Sequence, residues 1–137
     1  MAGYLARFPE GRAVAGVAAA LARAEAAAGE TAEAERHWQL VLERAPRSPL
    51  AAEALTKLGR ALLAAGRFDD AAALFEPFAT ADAGPLAETG LVGLAHARAG
   101  QGRWEAVKAL AALYTSRFPG GRRGAEMEAL AARAGAP

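Results

Sequence analysis

The feature that most constrains this chain is its repetition. Gly29-Glu30-Thr31-Ala32-Glu33-Ala34 lines up with Gly66-Arg67-Phe68-Asp69-Asp70-Ala71 at an offset of 37, and Gly102-Arg103-Trp104-Glu105-Ala106 gives the wording again with one residue fewer. Upstream of these glycines Leu21, Leu58 and Leu94 correspond, at offsets of 37 and then 36, as do Ala24, Ala61 and Ala97. Downstream, Trp38 corresponds to Phe75 and Val41 to Phe78. The stretches stop at Ala45-Pro46, at Ala83-Gly84-Pro85 and at Phe118-Pro119. A period of this length marks stacked supersecondary units, none of which buries its apolar face without a neighbour.

Local chemistry defines the unit. A glycine after a helical run takes the left-handed conformation at a helix C-terminus. An acidic residue just past the turn suits the positive end of the next helix dipole. Proline ends that second helix, because it has no N–H to donate to the ladder. Ser48-Pro49 and Gly84-Pro85 read as an N-cap followed by proline in the first helical position. The ends carry the same pattern: Tyr4-Leu5-Ala6-Arg7-Phe8-Pro9 matches Tyr114-Thr115-Ser116-Arg117-Phe118-Pro119 at an offset of 110, two periods of 37 and one of 36. The expectation is one helical-repeat domain over residues 1–137. It comprises a half-unit at 1–9, helix pairs at 12–45, 49–82 and 85–118, and a terminal helix at 122–134. The open half-units suit a piece of a longer array or a chain whose end helices act as caps.

Composition agrees with an all-α chain. Alanine, the best helix former, dominates the apolar residues, and isoleucine is absent. No cysteine is present, which excludes disulfides, thiolate catalysis and cysteine-ligated zinc. A formal charge of +1 provides no electrostatic footprint for nucleic acid or an anionic membrane. The longest apolar window, Ala13 to Ala22, is too short to span a bilayer. With Arg7 and Arg12 before it and small-residue cleavage sites after it, the window imitates a signal peptide, but it falls in phase with the repeat and Pro9-Glu10-Gly11 interrupts the basic start. Cytoplasm and bacterial periplasm both stay open.

These residues resemble the tetratricopeptide repeat. The second pair matches best, through Leu55, Leu58, Gly59, Leu62, Gly66, Phe68, Ala71, Phe75 and Phe78. The first contributes Leu21, Ala22, Gly29, Ala34, Trp38, Val41 and Pro46, and the third Leu91, Leu94, Ala95, Gly102, Trp104 and Pro119. The Tyr-x-x-Arg-Phe-Pro-x-Gly wording resembles bacterial repeat proteins of the cell-envelope assembly and division-coordinator kind. The resemblance implies a right-handed superhelical stack of antiparallel helix pairs, an α-solenoid that binds proteins. Three departures stand out. The third turn looks one residue short, so that Ala106, Leu110 and Leu113 compete with Val107, Ala111 and Tyr114 for the buried face. Glu25 and Arg98 fall where Leu62 is apolar, which predicts looser packing. Pro77 falls inside a predicted helix and should kink it, since it cannot donate to Ala73.

No catalytic constellation accompanies the two histidines, His37 and His96. Asp69-Asp70 reads as a helix-start feature in preference to a metal or acid–base pair. Gly120-Gly121-Arg122-Arg123-Gly124 lacks the Lys-Ser/Thr and the preceding strand of a phosphate loop. No metal or cofactor is expected, and no nucleic acid or membrane partner. The resemblance implies a concave groove lined by the first helix of each pair, which would hold a partner peptide or segment. Repeat offsets place Arg23, Arg60 and His96 in equivalent positions there, with Glu53, Thr56, Lys57, Leu63, Thr89 and Arg98 around them. Such a ladder of donors would favour an acidic partner through charge-assisted hydrogen bonds. The alternatives are a structural module whose repeat ends self-associate and, further off, an enzyme on a helical-toroid fold.

Overall fold

The computed structural model describes residues 11–80, 84 and 86–135. The expected half-unit at 1–9 lies outside the described residues, as does Pro85 with its expected place at a helix start. Every regular element described is helical: α1 (Gly11–Ala27), α2 (Thr31–Arg44), α3 (Pro49–Ala64), α4 (Phe68–Phe75), a 3-10 turn (Glu76–Phe78), α5 (Ala87–Gly100), α6 (Trp104–Arg117) and α7 (Gly124–Ala134). The fold is therefore all-α. Contacts group the residues into two compact units, Met1–Leu58 and Gly59–Pro137, the division falling within α3.

The three helix-to-helix turns share one design. Gly29, Gly66 and Gly102 have φ of 80°, 74° and 75°. Each glycine N–H bonds the carbonyl three residues back, and the next N–H bonds the carbonyl five back: Glu30 to Glu25, Arg67 to Leu62 and Arg103 to Arg98, at 2.8–2.9 Å. This is the paired closure that satisfies orphan carbonyls at a helix C-terminus. In all three the next helix starts two residues after the glycine. The third turn is thus not short, contrary to the sequence reading. The residue five beyond the glycine is buried in every case: Ala34, Ala71 and Val107. Val107, Ala111 and Tyr114 take the core face of α6, and Ala106, Leu110 and Leu113 are left half-buried. The missing residue lies in the connection from a second helix to the next first helix. Val41 to Leu55 spans 14 positions, whereas Phe78 to Leu91 and Tyr114 to Met127 span 13.

In the first unit α1 packs along α2. Ala15, Ala18, Ala19 and Ala22 of α1 are buried, as are Ala34, Trp38, Val41 and Leu42 of α2. Small residues on one helix under larger ones on the next permit close approach. The second unit takes this further. α5 carries glycines where three phenylalanines of the preceding segment lie, two by their rings and one by its backbone. A Cβ at Gly100 would come within 2.2 Å of the Phe68 ring, one at Gly93 within 2.3 Å of Phe75, and one at Gly90 within 2.5 Å of the Phe78 backbone. Phe75 also fills the space over Gly59, at 2.0 Å from a Cβ there.

Two local expectations change. The helix carrying Pro77 does not bend and continue. Its α geometry ends at Phe75, and the chain tightens into the 3-10 turn Glu76–Phe78, closed by Ala79 N–H to Glu76 C=O at 3.2 Å. Proline removes the donor for the Ala73 carbonyl, and a tighter turn that does not need that bond replaces the kink. Ser48 precedes Pro49, the first residue of α3, but its hydroxyl donates to the Ala45 carbonyl at 2.9 Å, so it closes the connection from α2.

Glu25 and Arg98 do not leave loose packing. The Glu25 carboxylate lies 2.6 Å from His37 Nδ1. Arg98 donates to Glu76 at 3.0 Å and to Gln101 at 2.9 Å. Each polar side chain has its own partner, which removes the penalty of partial burial.

Candidate functional site

The polar residues singled out on the first helices belong to α1, α3 and α5. Arg23, on α1, is half exposed, and its guanidinium grips the Glu53 carboxylate of α3 at two points: Nε to Oε2 at 2.8 Å and Nη2 to Oε1 at 2.6 Å. This bidentate fit matches the planar fork of arginine to the two carboxylate oxygens. It holds the Glu53 carboxyl below its ordinary pKa through the Arg23 hydrogen bond, against a smaller opposing effect of burial. The same bond raises the Arg23 guanidinium above its ordinary value.

His96, on α5, is paired as well. Its Nε2 meets Glu126 Oε2 at the start of α7, and Arg123 donates to both oxygens of that carboxylate at 2.9 and 3.1 Å. Burial pushes the Glu126 carboxyl up, but the Arg123 and then the His96 hydrogen bonds outweigh it, and the net direction is down. Both pairs join residues 30 positions apart, and both occupy the same repeat places: Arg23 and His96 in one, Glu53 and Glu126 in the other.

Arg60 breaks the series. The place 30 positions on is Gly90, which has no side chain to offer. Among the described residues Arg60 makes no hydrogen bond or ion pair, and it is exposed on α3. Helical spacing aligns Thr56, Lys57, Arg60 and Leu63 along one side of α3. Lys57 is exposed, and Thr56 and Leu63 are half-buried. On α5 Thr89 is half-buried. Of the three donors at this repeat position, Arg23 and His96 are engaged by carboxylates of the chain itself, and Arg60 is not. The sequence held a signal for this, since the Glu53–Gly90–Glu126 series runs in the same offsets as Arg23–Arg60–His96.

Other candidates resolve into local structure. Asp69 and Asp70 lie in the first turn of α4, where negative charge suits the helix dipole. Neither caps by its side chain: Asp70 accepts from Arg67 Nε at 3.0 Å and Asp69 from Gln101 Nε2 at 2.7 Å. Gly120 supplies a positive φ of 71°, and Gly121 packs against the Tyr114 hydroxyl, so the glycine-rich stretch is the turn into α7. Among the described residues no group of three or more acidic or histidine side chains is arranged to hold a metal ion, and no helix is long and apolar enough to cross a membrane.

With identical glycine turns, paired helices and a 36–37-residue period in place, comparison with known families is decisive. Two tetratricopeptide repeat models match, one over residues 14–76 and the other over 56–122. The chain belongs to the tetratricopeptide repeat family. Together the matches run from α1 to the turn before α7, across every helix pair described. Tetratricopeptide repeats are in general protein-interaction modules and typically non-catalytic. No curated protein and no solved structure matches the chain.

Proposed function

We propose that this tetratricopeptide repeat chain is a scaffold that binds a peptide or protein segment in a groove lined by its first helices, and that a carboxylate of the partner docks on Arg60. The observation that carries the reading is the contrast within one repeat position. Arg23 and His96 are answered by Glu53 and Glu126 inside the chain, whereas the repeat place equivalent to those glutamates for Arg60 is Gly90. An exposed guanidinium beside Thr56, Lys57 and the half-buried Leu63 offers an acidic side chain a bidentate partner, further hydrogen-bond donors and an apolar contact. Glu53 lies a helical turn or two from this patch but is already occupied by Arg23, so it does not cancel the Arg60 charge.

The test is a peptide-library selection on the parent chain, followed by fluorescence anisotropy of the selected peptides on Arg60→Glu and Arg23→Glu variants. Arg60→Glu should weaken binding at least about tenfold while circular dichroism stays that of the parent, as expected when one member of a charge-assisted pair is reversed. Arg23→Glu should have a smaller effect on binding, because its guanidinium already serves Glu53. Equal affinity of the parent and Arg60→Glu for every selected peptide would overturn the reading.

A further inference from the structure

The large apolar side chains exposed among the described residues both belong to α1: Val17 at 64% and Leu21 at 44%, values for the chain as a whole. With Val14 of α1 and with His37 and Leu40 of α2 they line an apolar groove of about 310 Å³ within the first unit. Leu58, Leu94 and Leu130 hold the place of Leu21 in the later first helices, and they are 5%, 6% and 3% exposed. An uncovered apolar patch of this kind marks a contact surface.

Charge narrows the kind of molecule that fits. From Ala13 to Ala27 the charged residues are Arg23 and Glu25, and both are spent inside the unit, Arg23 on Glu53 and Glu25 on His37. The outward sides of other helices are charged: Glu43 and Arg44 on α2, Glu105 and Lys108 on α6, Glu128 and Arg133 on α7. α1 thus offers a partner shape and apolar area, with no free charge to select an acidic or basic ligand.

Shape points to a second copy of the chain. Val17 and Leu21 are four residues apart and form one ridge on α1. Gly16, Ala20 and Ala24, also exposed and four apart, form a low row beside it, and a methyl at Gly16 would have nothing within 4 Å. The groove against α2 lies on the other side of the ridge. One surface therefore carries both a projection and the recesses that would receive it, which is what a two-fold contact requires. A two-fold axis across α1 sets the paired helices antiparallel, with opposite dipole ends together, and a net charge of +1 per chain leaves little repulsion between copies. We infer that two copies of the chain associate through this surface, the Val17–Leu21 ridge of each α1 packing on the low row of the other. A helix of 17 residues is about 25 Å long and about 10 Å wide. The contact is thus at the small end of specific interfaces, below about 600 Å² per copy, and the dimer is a reversible one.

Sedimentation velocity on the full chain from about 5 to about 500 µM tests this, a range suited to a small interface. The mass should rise from that of one chain, 14.0 kDa, toward that of two and no further. Val17→Glu should weaken association at least about tenfold with an unchanged circular dichroism spectrum, since the pair would then bring like charges together. Ala129→Glu on the exposed side of α7 adds the same charge elsewhere and should leave association as it is in the parent. Mixing Val17→Glu with Val17→Lys should restore association, because the two ridges, side by side, then carry opposite charges. Should a charged variant fail to fold, Val17→Ser should still weaken association about fivefold through lost apolar area. A mass that stays at one chain over the whole range overturns the proposal. So does association that the Val17 substitutions leave intact, or association that grows past two chains. A loss that mixing the charged variants does not repair means that the ridge does not face its own copy, and overturns it as well.

Discussion

At the scale of single residues, glycine separates into three kinds whose replacement by alanine has three different outcomes. Gly16 of α1 has nothing within 4 Å of the position a methyl would take, and its φ is ordinary for a helix, so Gly16→Ala should stabilise by about 0.5–1 kcal/mol through helix propensity alone. Gly66 is equally open but has φ of 74°, so the methyl meets backbone strain, and Gly66→Ala should cost about 1–2 kcal/mol, with Gly66→Asn milder. Gly93 sits mid-helix, where propensity favours alanine, yet the Phe75 ring occupies the methyl position at 2.3 Å. That ring is held over Gly59 as well, so it cannot yield toward that side. Overpacking should win, and Gly93→Ala should cost about 1–3 kcal/mol. Urea unfolding of the three variants beside the parent checks the order, and a stabilised Gly93→Ala would show that the aromatic–glycine fit contributes nothing.

At the scale of elements, the sequence disclosed helix pairs and glycine turns because both rest on local chemistry that recurs at each period. It misled where periodicity alone had to choose. Ala106 and Val107 are adjacent and both apolar, so either register of α6 satisfies a 3.6-residue pattern. Counting five residues from the left-handed glycine decides it, and that count was available from Ala34 and Ala71. The seating of Phe68, Phe75 and Phe78 was also legible. Their spacings of 7 and 3 mirror the 3 and 7 of Gly90, Gly93 and Gly100, as antiparallel packing requires. The end of α4 was not, because proline says only that one hydrogen bond is lost, and tertiary packing decides whether the chain kinks or tightens. Here it tightens so that Phe78 lies on Gly90. Pro77→Ala should therefore destabilise by about 0.5–1 kcal/mol despite the better helix propensity of alanine, because it frees the unfolded chain without improving the turn. Chemical unfolding measures this, and a stabilised variant would mean that proline alone imposes the 3-10 geometry.

At the scale of the whole molecule, the near-balance of charge hides local pairing that net charge cannot report. Each unit contains one pair that joins first helices across 30 positions, Arg23–Glu53 in one and His96–Glu126, held by Arg123, in the other. Arg23, Arg60 and His96 by themselves form a cationic series, and the acidic positions Glu53 and Glu126 run in the same frame and pair with two of the three. The pairs have a consequence for acid stability. Both Glu53 and Glu126 have folded-state pKa values below the ordinary carboxylate value. A depressed folded pKa adds stability that is present above the unfolded pKa and is lost as pH falls through the folded one. Glu53→Gln and Glu126→Gln should each melt about 1–3 °C below the parent at pH 7, a modest difference because the pairs are partly exposed. The difference should shrink as pH drops from about 5 toward 3, where the parent loses the same interactions by protonation. Thermal melts of parent, single variants and the double variant across that range measure it. The two sites share no partner, so their effects should add at pH 7. A parent-minus-variant gap that stays constant down to pH 3 would show that the carboxylates act through shape and hydrogen bonding, with no contribution from their charge.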